Sequence, residues 1–335
     1  VNPELFGVAS ITEAQLLLTA SSLWGDVPNT EACDDKNLNP KFDKMSDVHK
    51  YCIALLDSAI PNVTGSSNYA AAYAGNFDWA EVANTLKARA YLRMKDYANA
   101  KAAAQNGVGL GHDLMANHST ASPGAWNLYY DFLDYDRPGY LGCDGAWIVQ
   151  FLDTANKNCR NNAKTDETPR FKYYFTPNNY TALDPNMIDG IFATTNNYAL
   201  VTYAENESIL AECESRLGSD ANALVHLNNV RAELNATYGA YSAYDIADFG
   251  PSGLIKGTTA SAALLKEILM EKYVCLYGQL ETYADVRRTA NALGIPDNSG
   301  ISKGLPQCFL VPQAELNSNT NAHQQDIFAA LELFK

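Results

Sequence analysis

Apolar residues recur at helical spacing through most of the chain. Behind a capping Ser46, the run to Ile60 places Val48, Tyr51, Leu55 and Ala59 at steps of three and four. Asp78 to Met94 carries Val82, Leu86, Ala90 and Met94 on one stripe. Asp96-Tyr97 opens a third helix that passes through Ala100 and Ala104 and ends near Gly107. The pattern then stops. It returns from Tyr198 to Leu217, where Tyr203, Leu210 and Leu217 lie one heptad apart before Gly218. Asp220 to Leu234 and Ala262 to Tyr277 read as two further helices.

Two of these helix pairs share a register. Ala88 and Ala100 are twelve residues apart across one helix-turn-helix, and Ala211 and Ala223 are twelve apart across the other. Tetratricopeptide hairpins put small residues at that offset because their helices cross closely there. The chain therefore reads as all-α, with tetratricopeptide-like helical hairpins over 46–108 and 198–290. Between them, 109–197 is a long loop-rich insertion carrying short strands. It holds Pro123, Pro138, Pro169, Pro177 and Pro185, and its apolar run Ala146 to Leu152 predicts a strand, as does the alternation of Phe171, Tyr173, Tyr174 and Phe175. An irregular segment of this length is too long for an idle connection, which makes it the candidate ligand face. Residues 296–335 form a C-terminal loop and tail.

Composition narrows the function classes. The formal net charge of −14 disfavours nucleic acid. No stretch approaches ~20 apolar residues, so no membrane span is expected. The chain opens Val1-Asn2-Pro3, and any targeting signal or lipid anchor is expected outside it. Tyrosine is abundant, at 20 residues beside 4 Trp and 12 Phe, and such rings serve cores and sugar-stacking surfaces alike. None of the seven cysteines forms a CxxC pair; Cys52, Cys213 and Cys275 fall in helical patterns as small core residues, and Cys143 with Cys159 is a candidate disulfide. There is no HExxH, GxSxG or Walker loop. Gly107 to Gly111 reads as a helix-terminating loop, and Asp134-Tyr135-Asp136 lacks the closing Glu of a calcium loop. The five histidines are scattered, so neither a metal nor a cofactor is expected.

Several segments, in order, resemble the SusD/RagB family of nutrient-binding outer-membrane lipoproteins. They are Trp24-Gly25-Asp26-Val27-Pro28, Leu55 to Ile60, and Ala88-Arg89-Ala90-Tyr91-Leu92 with Asp96 to Ala100. Tyr203-Ala204-Glu205, Ala211-Glu212 and Leu227 to Arg231 follow, then Glu271-Lys272-Tyr273 leading to Asp285 to Arg288, and finally Val311 to Asn319. The resemblance implies a single SusD-like domain over 1–335. It implies a surface-exposed, lipid-anchored protein of the outer membrane that binds oligosaccharide without cleaving it. The ligand would pass to a SusC-like TonB-dependent transporter.

Two residue sets compete for function. Glu205 and Glu212 are two helical turns apart and could be the acid and base of an all-helical glycoside hydrolase. The structural alternative has them pairing with Arg231, Arg287 or Arg288 and locking the core. In the insertion, Trp126, Tyr129, Tyr130, Tyr135 and Tyr140 lie beside Arg137 and several Asp residues. Rings cover the apolar faces of a sugar while carboxylates and guanidinium meet its hydroxyls, so these residues form the candidate ligand site. Trp24 joins them through the resemblance. A tetratricopeptide-type adaptor that binds peptides is a third reading.

Overall fold

The computed structural model describes residues 2–121, 123–177, 182–298 and 303–335. Helix α1, Pro3–Trp24, starts under Asn2, whose Oδ1 accepts from the N–H of Glu4 at 3.0 Å and of Leu5 at 3.3 Å. It stops at Gly25, where φ reaches +84° and the N–H still reaches the Ser21 carbonyl. The hydrophobic pattern did not announce this helix. Its apolar residues occupy much of its circumference, with Val8, Ile11, Ala14 and Leu18 buried and Leu5, Phe6 and Leu16 exposed. Helix α2, Met45–Val63, begins after Lys44, so Ser46 is not its cap. Ser46 sits inside the first turn, where its N–H and hydroxyl both donate to the Glu332 carboxylate.

Strand β1 is Tyr73–Ala74. Helix α3, Trp79–Arg93, is capped by Asp78, and α4, Tyr97–Ala104, by Asp96. Strand β2, Leu114–Ala116, leads to a short helix α5, Leu128–Tyr130, which runs on as a π-helical segment, Asp131–Asp136. Helices α6, Trp147–Leu152, and α7, Thr168–Tyr174, precede the two-residue strands β3, Phe175–Thr176, and β4, Asp184–Pro185. Strand β5, Tyr198–Val201, gives way at a Thr202 cap to α8, Tyr203–Arg216. Then come α9, Asp220–Tyr238, α10, Ala260–Cys275, α11, Leu280–Arg288, and α12, Gln313–Ser318.

The all-α hairpin architecture is what the structure shows. Helix α3 packs on α4 and α8 on α9, and Ala88, Ala100, Ala211 and Ala223 have no solvent exposure. Three local expectations are corrected. The run at 146–152 is the helix α6, not a strand. A short apolar run does not distinguish the two, and here Ile148, Val149, Phe151 and Leu152 are all buried while Trp147 meets Phe151 one turn on at 5.3 Å. Most of the 171–175 ring run is likewise helical, with Phe171 and Phe175 5.4 Å apart at i,i+4. The helix expected from Tyr198 instead starts at Tyr203, because Tyr198 to Val201 pair antiparallel with β2.

The chain folds as two compact units. The first comprises residues 1–69, 77–109 and 275–335, and holds α1–α4, α11 and α12. Its buried ion cluster ties α11 to α3 and α1. Arg93 Nη2 grips both Glu281 oxygens at 2.7 and 2.8 Å, its Nη1 donates to the Leu18 carbonyl, and Arg89 stands 3.3 Å from Glu281. The second comprises 70–76 and 110–274, so the insertion shares a body with α8 and α9. Its antiparallel sheet has the order β1-β2-β5, and β3 pairs with β4.

A larger ion network fastens the insertion to α10. Arg160 donates to Glu267 at 2.7 Å and to Glu271 at 2.6 Å, and Arg170 donates to Glu271 and to both oxygens of Glu167 at 2.8 Å. Burial pushes the Glu271 carboxyl up, but Arg160 and Arg170 outweigh it and hold Glu271 well below the usual carboxylate range. Such buried pairs mainly enforce geometry, since desolvation cancels much of their attraction. No disulfide joins Cys143 to Cys159; all seven cysteines are thiols.

Candidate ligand-binding site

Asn127 sets the ring surface. It is fully buried, its Oδ1 caps the Tyr129 N–H at 3.0 Å, and its side-chain amide donates to the Asn196 carbonyl at 2.8 Å. The chain after it passes from α5 into π-helical winding, closed by Arg137 N–H on the Phe132 carbonyl at 2.7 Å. The wider turn drives Leu133 inward and leaves Tyr135 60% exposed. Single π turns of this kind recur where a helix must present side chains for function.

The structure brings Trp126, Tyr130 and Tyr135 together. Trp126 meets Tyr130 at 5.4 Å and Tyr135 at 5.5 Å, both nearly perpendicular at 85° and 89°. Edge-to-face packing of this kind holds the rings in place before any ligand arrives. Tyr140 is 76% exposed, with the Arg137 guanidinium 6.0 Å from its ring centre. Tyr129 is placed differently. It stacks on Phe192 at 4.1 Å and 18° and lies 6.2 Å from Tyr198, and burial raises its hydroxyl pKa. Its ring therefore anchors the surface from below.

Trp24 belongs to the other unit. Its indole N–H donates to the Leu310 carbonyl at 2.9 Å, and its ring meets Phe309 edge-on at 5.8 Å. It lines a cavity of about 440 Å³ with Phe42, Lys44 and residues of the C-terminal stretch.

Residues 2–122 match the SusD-like family model described as starch-binding and associating with the outer membrane. A SusD homolog from Bacteroides uniformis superposes with a TM-score of 0.72 at 15% identity, over 100% of this chain and 82% of that one. The chain has the SusD-like fold. A SusD/RagB protein from Bacteroides thetaiotaomicron matches this SusD-like chain with a TM-score of 0.62 at 16% identity, over 96% of this chain and 77% of its own. A SusD homolog from Flavobacterium johnsoniae, described as chitin-binding, gives 0.67 at 15% identity, over 95% and 76%. No curated protein matches the chain by sequence.

In this SusD-like chain Glu205 and Glu212 both have no solvent exposure, and Glu212 accepts from Arg216 Nε at 2.8 Å. A glycosidic carboxylate pair needs an open cleft between its members, and this burial denies substrate access. Arg231 turns elsewhere. It donates to the carbonyls of Ser242 and Lys164 and lies 3.6 Å over the Tyr244 ring. Among the described residues no group of three His, Cys, Asp or Glu is arranged to hold a metal ion, and no helix is long and apolar enough to cross a membrane. Sequence reasoning missed Phe42, Asn321, His323 and Gln325 around Trp24. They come from distant stretches of chain, and no local pattern marks them.

Proposed function

We propose that this protein captures oligosaccharide at the outer membrane on the ring surface of Trp126, Tyr130 and Tyr135, with Arg137 and Tyr140 at its rim. The observation that carries the reading is a set of rings, Tyr135 exposed and Trp126 and Tyr130 half-buried, already fixed by perpendicular packing next to carboxylates and a guanidinium. Sugars offer apolar C–H faces to such rings and hydroxyls to such a rim. The starch-binding description of the matching family and the chitin-binding description of a protein with this fold support the same ligand class. Residues 1–335 act as one SusD-like domain, lipid-anchored and exposed at the cell surface. It binds without bond cleavage and hands its ligand to a SusC-like TonB-dependent transporter.

Titration calorimetry on neutral oligosaccharides tests this, with a hydrolysis assay on each ligand that binds. Trp126→Ala and Tyr135→Ala should each weaken binding by on the order of 1–3 kcal/mol, from apolar area returned to water. Unchanged affinity in both folded variants would exclude the ring surface, and released sugar ends would restore the hydrolase reading.

A further inference from the structure

The first unit contains a cavity that the ring surface does not use. Its volume of about 440 Å³ lies within the range of small-ligand sites, roughly 300–1,000 Å³. Trp24, Phe42 and Val311 form one wall. The same three side chains also line an apolar cavity of about 300 Å³, so the two rings can be reached from both cavities.

The wall is rigid. Besides the bond from its N–H to Leu310 and its edge contact with Phe309, Trp24 has its own carbonyl held by Gln325 Nε2 at 2.6 Å. The charges nearest the ring already have partners. Lys44 pairs with Asp26 at 2.6 Å, Asp26 also accepts the Met45 N–H, and Glu332 takes both donors of Ser46. Three lining groups keep unused capacity. His323 has no hydrogen-bond partner among the described residues, Asn321 uses its amide on the Asn39 carbonyl but leaves its own oxygen, and Asp326 engages one oxygen with Phe328 N–H.

We propose that this cavity is a second sugar site, independent of the ring surface, taking one or two residues of a neutral oligosaccharide. The sugar lies against Trp24 and Phe42, and its hydroxyls bond Asn321, His323 and Asp326. A fixed indole loses little freedom on binding, and unused donors and acceptors beside it match a rim of hydroxyls. Acidic sugars are disfavoured, because the lining carboxylates Asp26, Asp326 and Glu332 outnumber Lys44 and Lys335.

The four tryptophans give each site its own reporter. Indole N–H resonances of ¹⁵N-tryptophan-labelled protein are followed while chitotriose, maltotriose, xylotriose and mannotriose are added in turn. With at least one sugar, the Trp24 signal should shift along a binding curve of its own, while Trp79, which is 1% exposed, stays still and reports folding. Trp126→Ala should leave the Trp24 curve unchanged. Phe42→Ala combined with His323→Ala should weaken that curve at least tenfold and leave the Trp126 curve in place. If Trp126 saturates while Trp24 does not move, the second site is wrong and the ring surface stands. If Trp24 shifts while Trp126 is silent, the second site stands and the ring surface falls. If neither moves with any of the four sugars, both fall.

Discussion

Replacing Glu233 by Gln should stabilise the second unit at alkaline pH and leave it unchanged in acid. Glu233 lies on α9 with its Oε2 buried and without a hydrogen-bond partner. Burial, with Asp113 and Glu207 nearby, pushes its carboxyl up from an ordinary 4.5 to about 7. The surroundings offer no strong counter-charge. Asp113 is itself raised by burial and already accepts the Tyr203 N–H, and Glu207 is engaged with His226 and Asn229. The Tyr203 hydroxyl is pushed up to about 12 by burial and by Glu207 and Glu233. The sign follows from linkage. Below about 4.5 the carboxyl is protonated in both the folded and the unfolded chain, so it carries no penalty. Between about 4.5 and 7 the unfolded chain ionises while the folded chain keeps its proton, so stability falls as pH rises. Above 7 the full penalty applies, about 3 kcal/mol at most for a carboxyl moved that far. Gln keeps the shape and removes the charge. Thermal melts followed by near-ultraviolet circular dichroism at pH 4.5, 6, 7.5 and 8.5 read the effect. The variant should match the parent at pH 4.5 and melt up to roughly 6–12 °C higher at pH 8.5, at 2–4 °C per kcal/mol for a unit of this size. A difference that is flat with pH, or a variant less stable at pH 8.5, would refute the reasoning.

Glu281→Ala should cost the first unit about 3–5 kcal/mol in denaturant unfolding, because it removes the counter-charge of the buried Arg89 and Arg93 guanidiniums. A loss under about 1 kcal/mol would mean that water reaches them. Tyr129→Ala should destabilise by about 2 kcal/mol through the lost stack on Phe192, whereas Tyr135→Ala stays within about 0.5 kcal/mol, as equilibrium unfolding will show. Thiol titration of the unfolded, unreduced protein should find all seven cysteines; a count of five would establish a bridge.

Much of the hairpin architecture is legible in the sequence. Stripes at steps of three and four predict α2 and α3, since a helix half in water must repeat its buried residues with its own period. The twelve-residue alanine offsets predict which helices pair, because close crossings exclude larger side chains. Where apolar residues also occupy the exposed side, that period is blurred. Helix α1 carries apolar residues on most sides, and α6 is a short apolar run broken only by Gln150, so neither shows a clear helical period. The sequence also marked the segment that holds the ring surface, through the density of rings where helical patterning ends. It did not say which way each ring turns. Tyr135 turns outward against a half-buried Trp126 while Tyr129 packs on Phe192, because Asn127 and the π-helical turn fix the rotation of the backbone there. The partner of each charge was likewise beyond the sequence: Arg231 sits over Tyr244, and Arg93 reaches Glu281 across 188 positions. Periodicity and composition are local properties, and they foretold most of the hairpin helices and the segment proposed to meet the ligand. Ring orientation, ion pairing and the Trp24 cavity depend on residues far apart in the chain meeting in space, and only the tertiary structure decided them.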